Sequence, residues 1–138
     1  MGGPCGIVLA CAPSYAACEG WGELAKCPAS VRAVHGALVT KCGFDGCFPC
    51  RVGDVTTAHI AADMDAAACK ADSHDVVLLF FSGHGVQFRG DVHLLDSNGK
   101  FVSSRTLRHR FESKVKERGL VDVTLLLFLD CCQERKGT

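Results

Sequence analysis

A chain of 138 residues, 48% hydrophobic and 22% charged, has the balance of an ordinary globular protein, and one domain spanning residues 1–138 can bury a real core. Its fifteen basic and fifteen acidic residues cancel, which removes the net field that nucleic acid or an anionic membrane would attract. Ten cysteines would suit a secreted disulfide framework, but the N-terminus has no basic region and its apolar run is short and interrupted by cysteine, so the sequence reads as that of a reducing, cytoplasmic protein.

In chain order, residues 6–12 form a first apolar strand. Residues 28–40 carry Val31, Val34 and Leu38 at helical spacing, with Pro28 suited to the first turn and Gly43-Phe44 ending the helix. A poor strand lies within residues 46–52. Thr56 or Thr57 caps a second helix whose face is Ile60, Met64 and Ala68. Residues 76–81 (VVLLFF) are unbroken and apolar, the composition of a strand covered on both faces. Residues 92–95 make a short strand that runs into the turn Asp96-Ser97-Asn98-Gly99. Ser104 caps a third helix with Leu107, Phe111 and Val115 on one face and Gly119 as its stop, and residues 124–129 (TLLLFL) form a second fully buried strand. The eight phenylalanines, Tyr15 and Trp21 show no exposed stripe and read as core. Strands alternating with helices predict an α/β three-layer sandwich: a mostly parallel, right-handed sheet with helices on both faces.

Function in such sheets gathers beyond the carboxyl ends of the strands. The two most apolar strands end in Ser82-Gly83-His84-Gly85 and Asp130-Cys131-Cys132, and His84 and Cys132 each lie three residues past the last apolar position. If these strands are neighbours, about 4.8 Å apart, an imidazole and a thiol reach the same rim. An imidazole beside a thiol accepts its proton and makes it a nucleophile. Gly83 and Gly85 leave room for close approach and unusual backbone angles. The amides of Gly85 and Cys132 would serve as an oxyanion hole.

Ser82-Gly83-His84-Gly85 after one buried strand and Asp130-Cys131-Cys132 after another resemble the S-G-H-G and D-x-C motifs of caspase-like cysteine peptidases (peptidase C14), above all metacaspases and paracaspases. The likeness runs from about Gly6 to the C-terminus and is strongest over residues 76–96 and 125–132. It implies proteolysis by an endopeptidase with His84 as base and Cys132 as nucleophile, although spacing alone also leaves Cys131 open. It further implies a P1 pocket lined by Asp130 with Ser82. The sequence lacks the acidic insertion of calcium-dependent metacaspases after S-G-H-G, so no metal or other cofactor is expected. It has Ser30 where the family's second acid stands, which leaves a preference for basic P1 side chains resting on Asp130. Leu24 and Asp130 occupy the places of the arginine and glutamine with which true caspases read aspartate.

The chain stops at Thr138, where the family fold continues with further strands and a helix, so a C-terminally truncated domain lacking the small-subunit portion is expected. The expected partners are a protein or peptide substrate and, at the strand edge left open, a small-subunit segment or a second copy. Neither nucleic acid nor membrane is expected. Two other readings stand beside the peptidase: a catalytically inactive caspase-like interaction module, and metal or iron–sulfur binding through Cys42, Cys47 and Cys50, whose C-x4-C-x2-C spacing suits cluster ligands.

Overall fold

The computed structural model describes residues 5–132, Cys132 by its backbone. The elements run β1 (Gly6–Pro13), α1 (Cys27–Lys41), β2 (Arg51–Gly53), α2 (Thr57–Lys70), β3 (Val76–Phe88), β4 (Asp91–Leu95), β5 (Phe101–Ser103), α3 (Ser104–Glu117) and β6 (Thr124–Cys132). The fold is α/β, with a sheet ordered β2-β1-β3-β4-β5 and β6 alongside β3. β2, β1, β3 and β6 are parallel, whereas β4 adds antiparallel to the far end of β3 and β5 adds antiparallel to β4.

Period-two alternation sorts the strand residues onto two faces. Ile7, Leu9 and Cys11 of β1 and Val77, Leu79 and Phe81 of β3 join Ile60, Met64, Leu107 and Phe111 in the main core, beneath α2 and α3. Burying a side chain such as Leu107 or Phe111 contributes ~2 kcal/mol. Ala10 and Ala12 pack with Val31 of α1 on the other face, joined by half-buried Phe80. The helices are placed by local chemistry. Pro28 opens α1. At α2 the Thr56 hydroxyl accepts from the His59 amide while His59 Nδ1 accepts from the Thr56 amide, a reciprocal cap. At α3 the cap is Ser103, one residue before the expected Ser104, whose hydroxyl instead donates to Asp91.

Two strands differ from the sequence reading. β3 does not stop at Phe81 but continues through Ser82-Gly83-His84-Gly85 to Phe88. Its backbone groups keep finding partners, from β6 as far as His84 and from β4 from Gly85 onward. Arg89 and Gly90, both at positive φ, make the two-residue hairpin into β4. β6 is not buried on both faces. Leu125, Leu127 and Leu129 pack against the main core, but Leu126 and Phe128 are 40% and 54% exposed. Phe88 and Phe101 are exposed as well, so the phenylalanines are not all core. The expected truncation concerns the chain's end, and residues 133–138 lie outside those described. Among the described residues no helix is long and apolar enough to cross a membrane.

Candidate active site

The strand ends bring the two sequence motifs into register. Along the parallel β3–β6 pair, Ser82 faces Asp130, Gly83 faces Cys131 and His84 faces Cys132. His84 and Cys132 are therefore Cα partners on adjacent strands, in phase with Ser82 and Asp130 and out of phase with Cys131. Cys131 belongs to the opposite set and packs, half-buried, against the main core with Leu129 and Leu127. The Cys132 side chain lies outside the described part.

His84 is 2% exposed and held on several sides. Its Nε2 lies 2.6 Å from the Gly22 carbonyl oxygen. A carbonyl only accepts, so Nε2 carries the proton and donates it; in the neutral ring Nδ1 then keeps the lone pair. Tyr15 stands edge-on to the imidazole at 4.6 Å between centroids, and Trp21 tilts against it at 4.9 Å. The Tyr15 hydroxyl accepts from the His84 amide at 2.9 Å and donates to the Leu95 carbonyl at 2.8 Å. Burial raises its pKa, which keeps that donor protonated.

These aromatic residues come from the segment that follows β1. It is folded back by Glu23, whose carboxylate accepts from the Tyr15 amide and from the Ser14 hydroxyl, and by a Cys18 Sγ contact to the Ser97 carbonyl at 3.0 Å. Tyr15, Trp21 and Gly22 were not legible as site residues. The one available signal was position: they follow β1, the neighbour of β3, at the carboxyl end of the sheet.

Space rather than backbone angle explains the flanking glycines. Neither Gly83 nor Gly85 has positive φ, so the expected unusual angles are absent. A Cβ on Gly83 would overlap the Tyr15 hydroxyl, and one on Gly85 would meet Cys131 Sγ at 2.8 Å and the His93 carbonyl at 3.1 Å. On the rim beside His84, the fully buried Ser82 donates to Oδ2 of exposed Asp130 at 3.2 Å.

Comparison with known proteins gives the family of the whole chain rather than the roles of these residues. The sequence model of the caspase domain, peptidase C14, matches residues 6–138. The chain belongs to the caspase-domain family. No curated protein matches it. Within this caspase domain Cys131 packs against the main core. Burial pushes the Cys11 thiol up to about 12 and raises those of Cys18, Cys47 and Cys50. The cluster reading of Cys42, Cys47 and Cys50 is not supported, since among the described residues no three His, Cys, Asp or Glu side chains converge to hold a metal ion. Cys42 ends α1, and Cys50 directs its Sγ to the Val31 carbonyl at 3.7 Å. Ligands of one cluster must lie within a few ångströms of a common centre.

Proposed function

We propose that this caspase-domain chain is a cysteine endopeptidase in which Cys132 is the nucleophile and His84 the general base. The observation that carries the reading is the register: His84 and Cys132 are paired residues on adjacent strands. The Gly22 carbonyl holds Nε2–H and leaves Nδ1 to take the thiol proton. The thiolate attacks the scissile carbonyl carbon, and the oxyanion that forms is held by the Gly85 and Cys132 amides. Collapse of the tetrahedral intermediate breaks the C–N bond, and the departing amine takes its proton from the His84 imidazolium. Water, deprotonated by His84, then releases the acyl group from sulfur. Gly22 supports the transient positive charge on the ring throughout.

Asp130, oriented by Ser82, lines the P1 pocket and favours lysine or arginine there, because a carboxylate pairs with a cationic side chain. The substrate is a protein or peptide, and one domain of residues 1–138 acts in the cytoplasm. Support for a reducing compartment comes from Cys11, Cys18, Cys27, Cys42, Cys47, Cys50 and Cys69, all free thiols. Recovery of the chain in a secretory fraction would overturn that location. Activity is tested with fluorogenic peptides bearing arginine at P1. The wild type is expected to cleave them, and Cys132→Ala and His84→Ala to fall by at least ~1000-fold. Equal rates in all three would sink the assignment.

A second reading, an inactive interaction module, is favoured by exposed Leu126 and Phe128 on β6. β6 would then hold a small-subunit segment or a second copy through its apolar residues. A peptidyl electrophile separates the two readings, since it alkylates Cys132 in a peptidase and leaves it unmodified in a module.

A further inference from the structure

The geometry points to Tyr15 as a positioning residue that fixes His84 for proton transfer by substituting for a strand neighbour. The inference rests on the His84–Cys132 reading. β1 pairs with β3 only as far as Cys11 opposite Phe81. β3 runs on for seven residues, and on the β1 side its buried amides need other partners. At His84 that partner is the Tyr15 hydroxyl, which accepts a hydrogen bond from the amide at 2.9 Å and donates one to the Leu95 carbonyl at 2.8 Å. One oxygen thus ties the histidine backbone to the end of β4, at the point where β3 leaves β6 and begins to pair with β4.

The ring of the same residue limits the imidazole's rotation, standing edge-on at 4.6 Å with Trp21 at 4.9 Å. With Nε2 on the Gly22 carbonyl, backbone and ring are fixed together, and Nδ1 keeps one direction. Gly83 belongs to the same device: any Cβ there would occupy the place of the Tyr15 hydroxyl. Small displacements of a base cost proton transfer far more than they cost folding, so Tyr15 acts through His84 without touching substrate.

The test reads the thiol directly and needs no substrate. Wild type, Tyr15→Phe and His84→Ala are pulsed with iodoacetamide across a range of pH, and labelling of the Cys132 peptide is followed by mass spectrometry. Buried Cys11 reports folding, because it stays unlabelled only in the native state. In Tyr15→Phe the midpoint of Cys132 labelling is expected to rise by about one pH unit, toward the higher midpoint of His84→Ala. A wild-type midpoint in Tyr15→Phe, with a raised one in His84→Ala, would overturn the positioning role and leave the dyad intact. An unshifted His84→Ala would overturn the dyad itself. If Tyr15→Phe exposes Cys11, Gly83→Ala decides, since it displaces the hydroxyl while keeping the ring, and the same upward shift is expected. Exposure of Cys11 in both variants would make the hydroxyl a folding requirement and end the proposal.

Discussion

Ser82 and Asp130 occupy paired positions on β3 and β6, and a buried hydroxyl donates to an exposed carboxylate. That bond leaves Oδ1 and a further lone pair on Oδ2 able to accept from a guanidinium, so in the proposed peptidase Asp130 is the side chain that would distinguish a basic from an acidic P1 group. Asp130→Asn keeps the shape and the Ser82 contact but removes the charge. A hydrogen bond to a charged group contributes about 1.5–3 kcal/mol, so kcat/KM for arginine at P1 should fall roughly 10- to 150-fold, with little change for an uncharged P1. Steady-state kinetics on the two peptides checks this, and an equal loss on both would assign Asp130 to something other than P1 recognition. At this scale the sequence was informative where residue type is chemically unusual, as in a histidine between glycines or a cysteine two after an acid. It was silent about Tyr15 and Trp21, because a buried aromatic ring is ordinary until its hydroxyl or face is seen against a functional group.

α3 and the β4–β5 hairpin are joined through one carboxylate. Asp91 opens β4, and its Oδ1 accepts from the Ser104 hydroxyl and, at 3.2 Å, from the Arg105 amide in the first turn of α3. Hydrogen bonds from the Ser103 and Ser104 side chains, with the Arg105 amide adding to them, hold its carboxyl down to about 2, below the ordinary value near 3.8. A pKa lower in the folded state stabilises the fold above the unfolded value, and that contribution is lost as pH falls through the folded one. Asp91 should therefore support the α3 junction fully above about pH 4.5 and progressively less toward about pH 2. Thermal unfolding of wild type and Asp91→Asn should differ most near neutral pH and converge in acid; a gap independent of pH would contradict this. The helices and parallel strands were legible, since each carries a strong period, a cap or a long apolar run. β5 was not, being three residues long, and neither was the reach of β3 to Phe88. Ser82-Gly83-His84-Gly85 is polar and glycine-rich, and only pairing with β6 and then β4 keeps it extended.

Over the whole molecule, the two faces of the sheet are covered unequally. α2 and α3 close one face over β1, β3 and the inner residues of β6, whereas α1 meets β1 and part of β3 on the other. The unbroken run TLLLFL was consistent with burial on both sides, and the structure instead leaves Leu126 and Phe128 facing outward on a strand that pairs, among the described residues, with β3 alone. A pair of large apolar side chains beside unpaired strand backbone favours association by strand addition or face-to-face packing. Replacing both by threonine, which is β-branched, keeps strand propensity while removing most of the apolar area. The double variant Leu126→Thr, Phe128→Thr should keep its unfolding free energy within about 1 kcal/mol, because exposed side chains contribute little to the folded state. It should also sediment as a monomer over a concentration range in which the wild type forms larger species. Wild-type protein that stays monomeric at about 100 μM, a concentration at which even a weak interface of micromolar Kd would be filled, would show that this face does not drive self-association. A variant that loses several kcal/mol would show instead that Leu126 and Phe128 are buried in the native protein, and that β6 is covered on both faces after all.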